Sequence, residues 1–258
     1  MTDVLIVTGP MNASQLGVPK DADYEVIHVH PTGKDIGSTA MYKAMHAWLG
    51  GQTLFDRVRQ HLGGEAPVVG KIGVAWFSAG HGAVKAILAG LTDPEDVAAW
   101  LCLDGLYGSN KWAIEVTKAA MQDKTSIMAT ASTSTPGHYD HSLDRWRTVV
   151  EANDIPQVPA HDATQWGLPA PDYAWGSGSC LIAGYDDLGH HKQVPAVRSA
   201  MLRWWDAVRK SDVPDVPGPK PPDPTVDDDG SYAGGWALAG AAVIYSGLFL
   251  WALKEIKR

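Results

Sequence analysis

Ile72-Gly73-Val74-Ala75-Trp76-Phe77-Ser78-Ala79-Gly80-His81-Gly82-Ala83-Val84-Lys85-Ala86-Ile87-Leu88 is the stretch that decides the fold. Its first six residues are an almost unbroken apolar run, the pattern of a strand buried on both faces. Ser78 follows without a linker, then come small residues and a second apolar run at helical spacing. A strand that turns through a serine straight into a helix holds that residue in a strained backbone and lifts its hydroxyl above the sheet edge. Small neighbours (Ala79, Gly80, Gly82) let strand and helix approach. The helix also aims its first amides at this spot, which favours developing negative charge. A buried structural serine in a tight turn is the plainer reading of the same residues.

Working outward, the pattern repeats. Val4–Thr8, Tyr24–His30, Val97–Leu103, Ser126–Ala131 and Cys180–Ala183 read as further strands. Helical spacing runs over Ser38–His61, interrupted at Gly50-Gly51, and over Asn110–Gln122, Ser142–Ala152 and Pro195–Arg209. Strands that alternate with helices imply an α/β fold, a three-layer α/β/α sandwich with a mostly parallel sheet over residues 1–210. Asn153–Gly178 is rich in Pro, Gly, Asp and Trp without a period, and reads as a long irregular loop at the rim of a site. There is no internal repeat.

Over residues 1–210 the chain resembles the α/β-hydrolase superfamily. Ser78-Ala79-Gly80 matches the second half of the family's G-x-S-x-G turn, whereas Trp76 stands where the first glycine belongs. The resemblance implies a serine hydrolase acting through an acyl-enzyme, with the triad in the chain order nucleophile, acid, histidine. The alternatives are a non-catalytic hydrolase-like scaffold or binding protein anchored in a membrane, which Trp76 in place of the glycine keeps open, or an envelope-degrading lytic hydrolase. The histidine is then expected after the last strand, where His190 and His191 are adjacent. His191 is favoured because His191-Lys192-Gln193-Val194 before the closing helix looks like related bacterial hydrolases; His190 is the alternative. For the acid, Asp104 ends the strand Val97–Leu103 at the carboxyl edge of the sheet, where such sheets bind ligands. Asp104-Gly105-Leu106-Tyr107-Gly108 also resembles a block found in some bacterial members, and Asp140 occupies the more usual family position. The acid's role is to orient the imidazole. The resemblance further implies an oxyanion hole built from the amides of Ala79 and Met11, since Pro10 has no N–H.

Composition narrows the partners. The chain is 258 residues long with a formal charge of −8 and no basic stripe, which argues against nucleic acid as a partner. Cys102 and Cys180 sit inside apolar runs and read as buried thiols. His28 and His30 share a strand face, and His138 and His141 lie three apart, but no third ligand follows at a diagnostic spacing, so no metal and no cofactor is expected. Eleven Trp against three Phe is unusual. Most of these indoles are expected in the core.

Two further segments follow the main domain. Residues 211–232 carry six Pro and six Asp with almost nothing to bury, a solvated linker. Residues 233–258 contain Trp236–Leu253, 18 residues without a charge. As a helix they extend about 27 Å, near the hydrocarbon thickness of a bilayer, with Lys254, Lys257 and Arg258 as a basic collar. A single-pass C-terminal transmembrane helix is therefore expected. A buried core helix is the alternative. The start, MTDVLIVTGP, reads as a strand and not as a signal peptide. Which side of the membrane holds the domain stays open. The substrate class that fits is a small or envelope-derived ester or amide.

Overall fold

The computed structural model describes residues 1–64, 67–89, 92–133 and 141–210. The expected linker, the apolar stretch Trp236–Leu253, Asp140 and His138 lie outside the described residues. Among the described residues no helix is long and apolar enough to cross a membrane.

The chain folds as an α/β domain in the order β1 (Thr2–Thr8), α1 (Ala13–Leu16), β2 (Glu25–Val29), α2 (Ser38–Leu49), α3 (Leu54–Leu62), β3 (Val69–Phe77), α4 (His81–Leu88), β4 (Ala99–Leu103), α5 (Lys111–Met121), β5 (Ser126–Ser132), α6 (Ser142–Ala152), α7 (Ala160–Thr164), β6 (Tyr173–Ser177), β7 (Cys180–Tyr185) and α8 (His190–Arg209). The seven strands pair in the order β2-β1-β3-β4-β5-β7-β6, all parallel except the β6–β7 pair at one edge. β4, β5 and β7 are buried along their whole length. Their side chains feed two cores of opposite parity. Val4, Ile6, Val74, Trp76, Trp100 and Cys102 pack with α2 to α6, whereas Leu5, Val7, Ala75, Phe77, Leu101 and Leu103 pack with α1 and α8. Period-2 alternation divides each strand between these two cores.

Register carries this order to the site. Thr8 pairs Trp76, Trp76 pairs Cys102, Cys102 pairs Ala129 and Ala129 pairs Ile182. Ser78 and Asp104 each stand two residues beyond that row, so both emerge at the carboxyl edge on neighbouring strands. β1 leads away to one side of the sheet and β3 to the other, which makes this edge a topological switch point.

One local reading holds and three change. The helical run from Ser38 breaks into α2 and α3 because Gly50 takes φ 60° and Gly51 φ 79°, left-handed values that suit glycine. The expected loop Asn153–Gly178 contains α7 and the antiparallel strand β6, joined to β7 through Gly178 and Ser179, with Gly178 at φ 55°. A small-residue turn between two apolar runs is a hairpin signal that its Pro- and Gly-rich context hides. Asn12 caps the short helix α1 in a capping box with Gln15, also unexpected. Finally, α8 starts at His190 and not at Pro195, which sits inside it. Proline favours the first helical position, but here Gly189 is the N-cap, and both candidate histidines lie on the first helical turn.

Candidate active site

Ser78 follows β3 directly and has φ 51°, a left-handed value that costs a non-glycine residue about 1–3 kcal/mol. The turn keeps this strain because close contacts on all sides fix the backbone. Gly80 lies so near Thr8 and Gly9 that a Cβ would come within 2.9 Å of the Thr8 carbonyl oxygen and 3.1 Å of the Gly9 Cα. A Cβ on Gly82 would stand 1.9 Å from the Ser38 carbonyl oxygen, so α4 is held against the start of α2. Only glycine fits at either place.

Trp76, in the position where the family pattern has glycine, points away from the site. It is fully buried, meets Trp100 and Trp112 edge-on with ring centroids 6.3 and 5.6 Å away, and donates its indole N–H to the Gly105 carbonyl at 2.9 Å. A Cβ on Gly105 would clash with the Trp76 ring at 2.6 Å and reach 3.2 Å from the Ser78 nitrogen. The indole therefore ties the residue after Asp104 to the serine turn. The bulky side chain occupies the core and leaves the turn open.

Asp104 is fully buried and has φ 47°. A buried carboxylate needs donors, and three reach this one. The Ser132 amide donates to Oδ1 at 2.9 Å, the Ser132 hydroxyl to Oδ2 at 2.7 Å, and the His190 Nδ1–H to Oδ2 at 2.7 Å. With its proton on Nδ1, His190 keeps the Nε2 lone pair free to act as a base. The imidazole is nearly buried, stacks on Phe77 with centroids 4.6 Å apart, and has the Tyr107 hydroxyl 3.1 Å from Nδ1. Phe77 immediately precedes Ser78.

The imidazole on Asp104 is thus His190 and not the expected His191. One helical residue turns a side chain by about 100°, and His191 faces outward. It lines a cleft of about 310 Å3 with Pro10, Met11, Gln15, Phe77, Val194, Pro195 and Arg198. Met11 is buried in the wall of this cleft, and its carbonyl accepts from His28 Nε2 at 2.9 Å. Gly9, at φ 106°, packs so tightly on β3 that a Cβ would stand 2.4 Å from the Phe77 carbonyl oxygen. The loop bearing Met11 and the turn bearing Ala79 are therefore brought side by side.

Three groups outside the expected set belong to this neighbourhood. Ser132 holds Asp104, Tyr107 approaches His190, and His81 donates from Nδ1 to the Ser78 carbonyl at 3.1 Å. Burial drives the His81 pKa down to about 4, with Lys85 one turn on adding to the effect, so this ring is neutral near pH 7. Ser132 lies among serines and threonines, and nothing in the sequence marks it out. Tyr107 stands in the same block as Asp104, and His81 in the serine turn itself, so position alone could have flagged both.

Neither thiol is part of the site, although Cys102 lies two residues before Asp104 on β4. Cys102 and Cys180 are buried and free, and burial raises both pKa values, that of Cys180 to about 12. His28 and His30 lie with ring centroids 5.6 Å apart, and among the described residues no three metal-ligating side chains gather. No protein-family model matches this chain, and neither a curated protein nor a solved structure matches it at a significant level.

Proposed function

We propose that the chain is a serine hydrolase of the α/β-hydrolase type that cleaves an ester or amide through an acyl-enzyme. Its mostly parallel seven-stranded sheet is compatible with that family. In this reading Ser78 Oγ attacks the carbonyl carbon while His190 Nε2 takes its proton. Asp104 keeps the imidazole in the correct tautomer and stabilises the imidazolium. The amides of Ala79 and Met11 receive the oxyanion. His190 then gives the proton to the departing alkoxide or amine, and the acyl-serine is hydrolysed by a water that His190 deprotonates. The observation that carries the reading is the pairing, at one sheet edge, of a strained Ser78 with a buried Asp104–His190 couple 2.7 Å apart. The apolar stretch Trp236–Leu253, read as a membrane anchor, completes the proposal and suits a substrate at a membrane or envelope.

A fluorophosphonate probe tests the enzyme. It phosphonylates an activated serine, so the wild-type chain should label at Ser78 and the Ser78→Ala variant should not. A folded wild-type protein that stays unlabelled would overturn the assignment.

A further inference from the structure

We infer that the substrate carries an anionic group, such as a carboxylate, a few bonds from the scissile carbonyl, and that Arg198 receives it. The inference rests on the serine-hydrolase reading and extends it to substrate class.

The cleft beside the site has an asymmetric lining. Its inner wall is apolar, formed by Met11, Phe77 and Val194, and contains the residue before Ser78. Its outer part carries His191 and Arg198, and among the described residues no carboxylate lines it. In a chain of net charge −8 that distribution is informative. Three other arginines, by contrast, sit against carboxylates. Arg59 meets Asp56, Arg147 meets Asp144, and Arg209 meets Asp3, Asp23 and Asp206. Arg198 has no carboxylate within 4 Å among the described residues. One guanidinium nitrogen donates to the Gln15 carbonyl at 3.3 Å, which anchors the head at the cleft while other N–H groups stay available. Its stem lies 3.4 Å from where a Cβ of Gly17 would be. A planar fork so placed suits a carboxylate or a comparable oxyanion.

Half-buried ion pairs are modest, so the expected preference is about tenfold in kcat/KM and not several orders of magnitude. The test compares three chromogenic esters: 4-nitrophenyl valerate, 4-nitrophenyl hemiglutarate with the charge on the acyl part, and 3-carboxy-4-nitrophenyl valerate with the charge on the leaving group. Wild-type protein should favour one charged ester over the neutral one by about tenfold, the favoured arm telling which part of the substrate enters the cleft. That ratio should fall towards one in Arg198→Gln and recover in part in Arg198→Lys. Raising salt should lower it in the wild type only. Equal ratios in wild type and Arg198→Gln, or a preference for the neutral ester, would overturn the inference while leaving the hydrolase intact. If no ester is turned over, binding to the Ser78→Ala variant separates the two ideas. Calorimetry should show the monoanilide of glutaric acid or 3-(valeramido)benzoate, which carry the charge on the acyl and the amine side respectively, binding more tightly than valeranilide, and Arg198→Gln should abolish the difference. Absence of that difference would sink the anionic subsite on its own account.

Discussion

Adjacent residues at this site have sharply different environments. His190 and His191 are chemically identical and follow one another, yet one ring stacks on Phe77 and bonds Asp104 through Nδ1 while the other faces the cleft. The sequence localises an imidazole to this point because it lies after the last parallel strand. It does not settle which imidazole, since that depends on where the helix starts, and Pro195 suggests a start five residues too late. Ser78 and Asp104 were legible because each ends an apolar run, so burial of the strand fixes where its last residue emerges. The consequence for activity is asymmetric. His190→Gln should lower kcat for an ester by about 10⁴, the order seen when a triad loses its base or its tautomer control. His191→Gln should lower it by less than about tenfold. Steady-state kinetics on the two variants decides it, and the reverse ranking would return the base to His191.

At the scale of elements, the serine turn depends on how closely α4 can approach α2 and the end of β1. The glycines that permit this were visible as small residues after Ser78, but what each one faces was not, because the partner carbonyls come from residues some forty or seventy positions away. Gly82 and Gly51 separate two reasons why a residue without a side chain suits its place in this chain. A Cβ on Gly82 would meet the Ser38 backbone at 1.9 Å, whereas one on Gly51 would meet nothing within 4 Å and suffer only its φ of 79°. Gly82→Ala should therefore cost about 3 kcal/mol, the upper part of the range for forced overpacking. Gly51→Ala should cost about 1 kcal/mol from backbone strain. Urea titrations measure both, and equal losses would show that α2 and α4 can part more easily than their contact suggests. The hairpin of β6 and β7 was missed for a related reason. Five residues with alternate burial give a weak period, and the prolines around them look like loop.

For the whole molecule, the α/β class was readable because its parallel strands are continuous apolar runs and helices follow them in turn; strand order was not, since it is set by crossovers that leave no local mark. Stability of the assembled fold carries a pH signature that also depends on long-range packing. His81 is nearly buried in the serine turn, and its pKa falls from the ordinary 6.5 to about 4, driven down by burial, held up in part by its hydrogen bond to the Ser78 carbonyl and lowered further by the charge of Lys85. Between those values the unfolded chain binds a proton that the folded chain refuses, so stability must rise with pH across this window. The contribution is complete above about pH 6.5 and is lost as pH falls towards 4, to a total on the order of 3 kcal/mol. Asp23 also has a lowered pKa, chiefly through its hydrogen bond with Arg209, but starts from 3.8 and acts below this window. His81→Asn keeps an N–H able to donate to the Ser78 carbonyl and removes the titrating ring. Denaturant unfolding at pH 7 and pH 4.5 should show the wild type losing about 2 kcal/mol more than the variant over that interval. Parallel losses in the two proteins would mean that the buried imidazole accepts its proton without opening the turn, and that the acid sensitivity of the fold arises elsewhere.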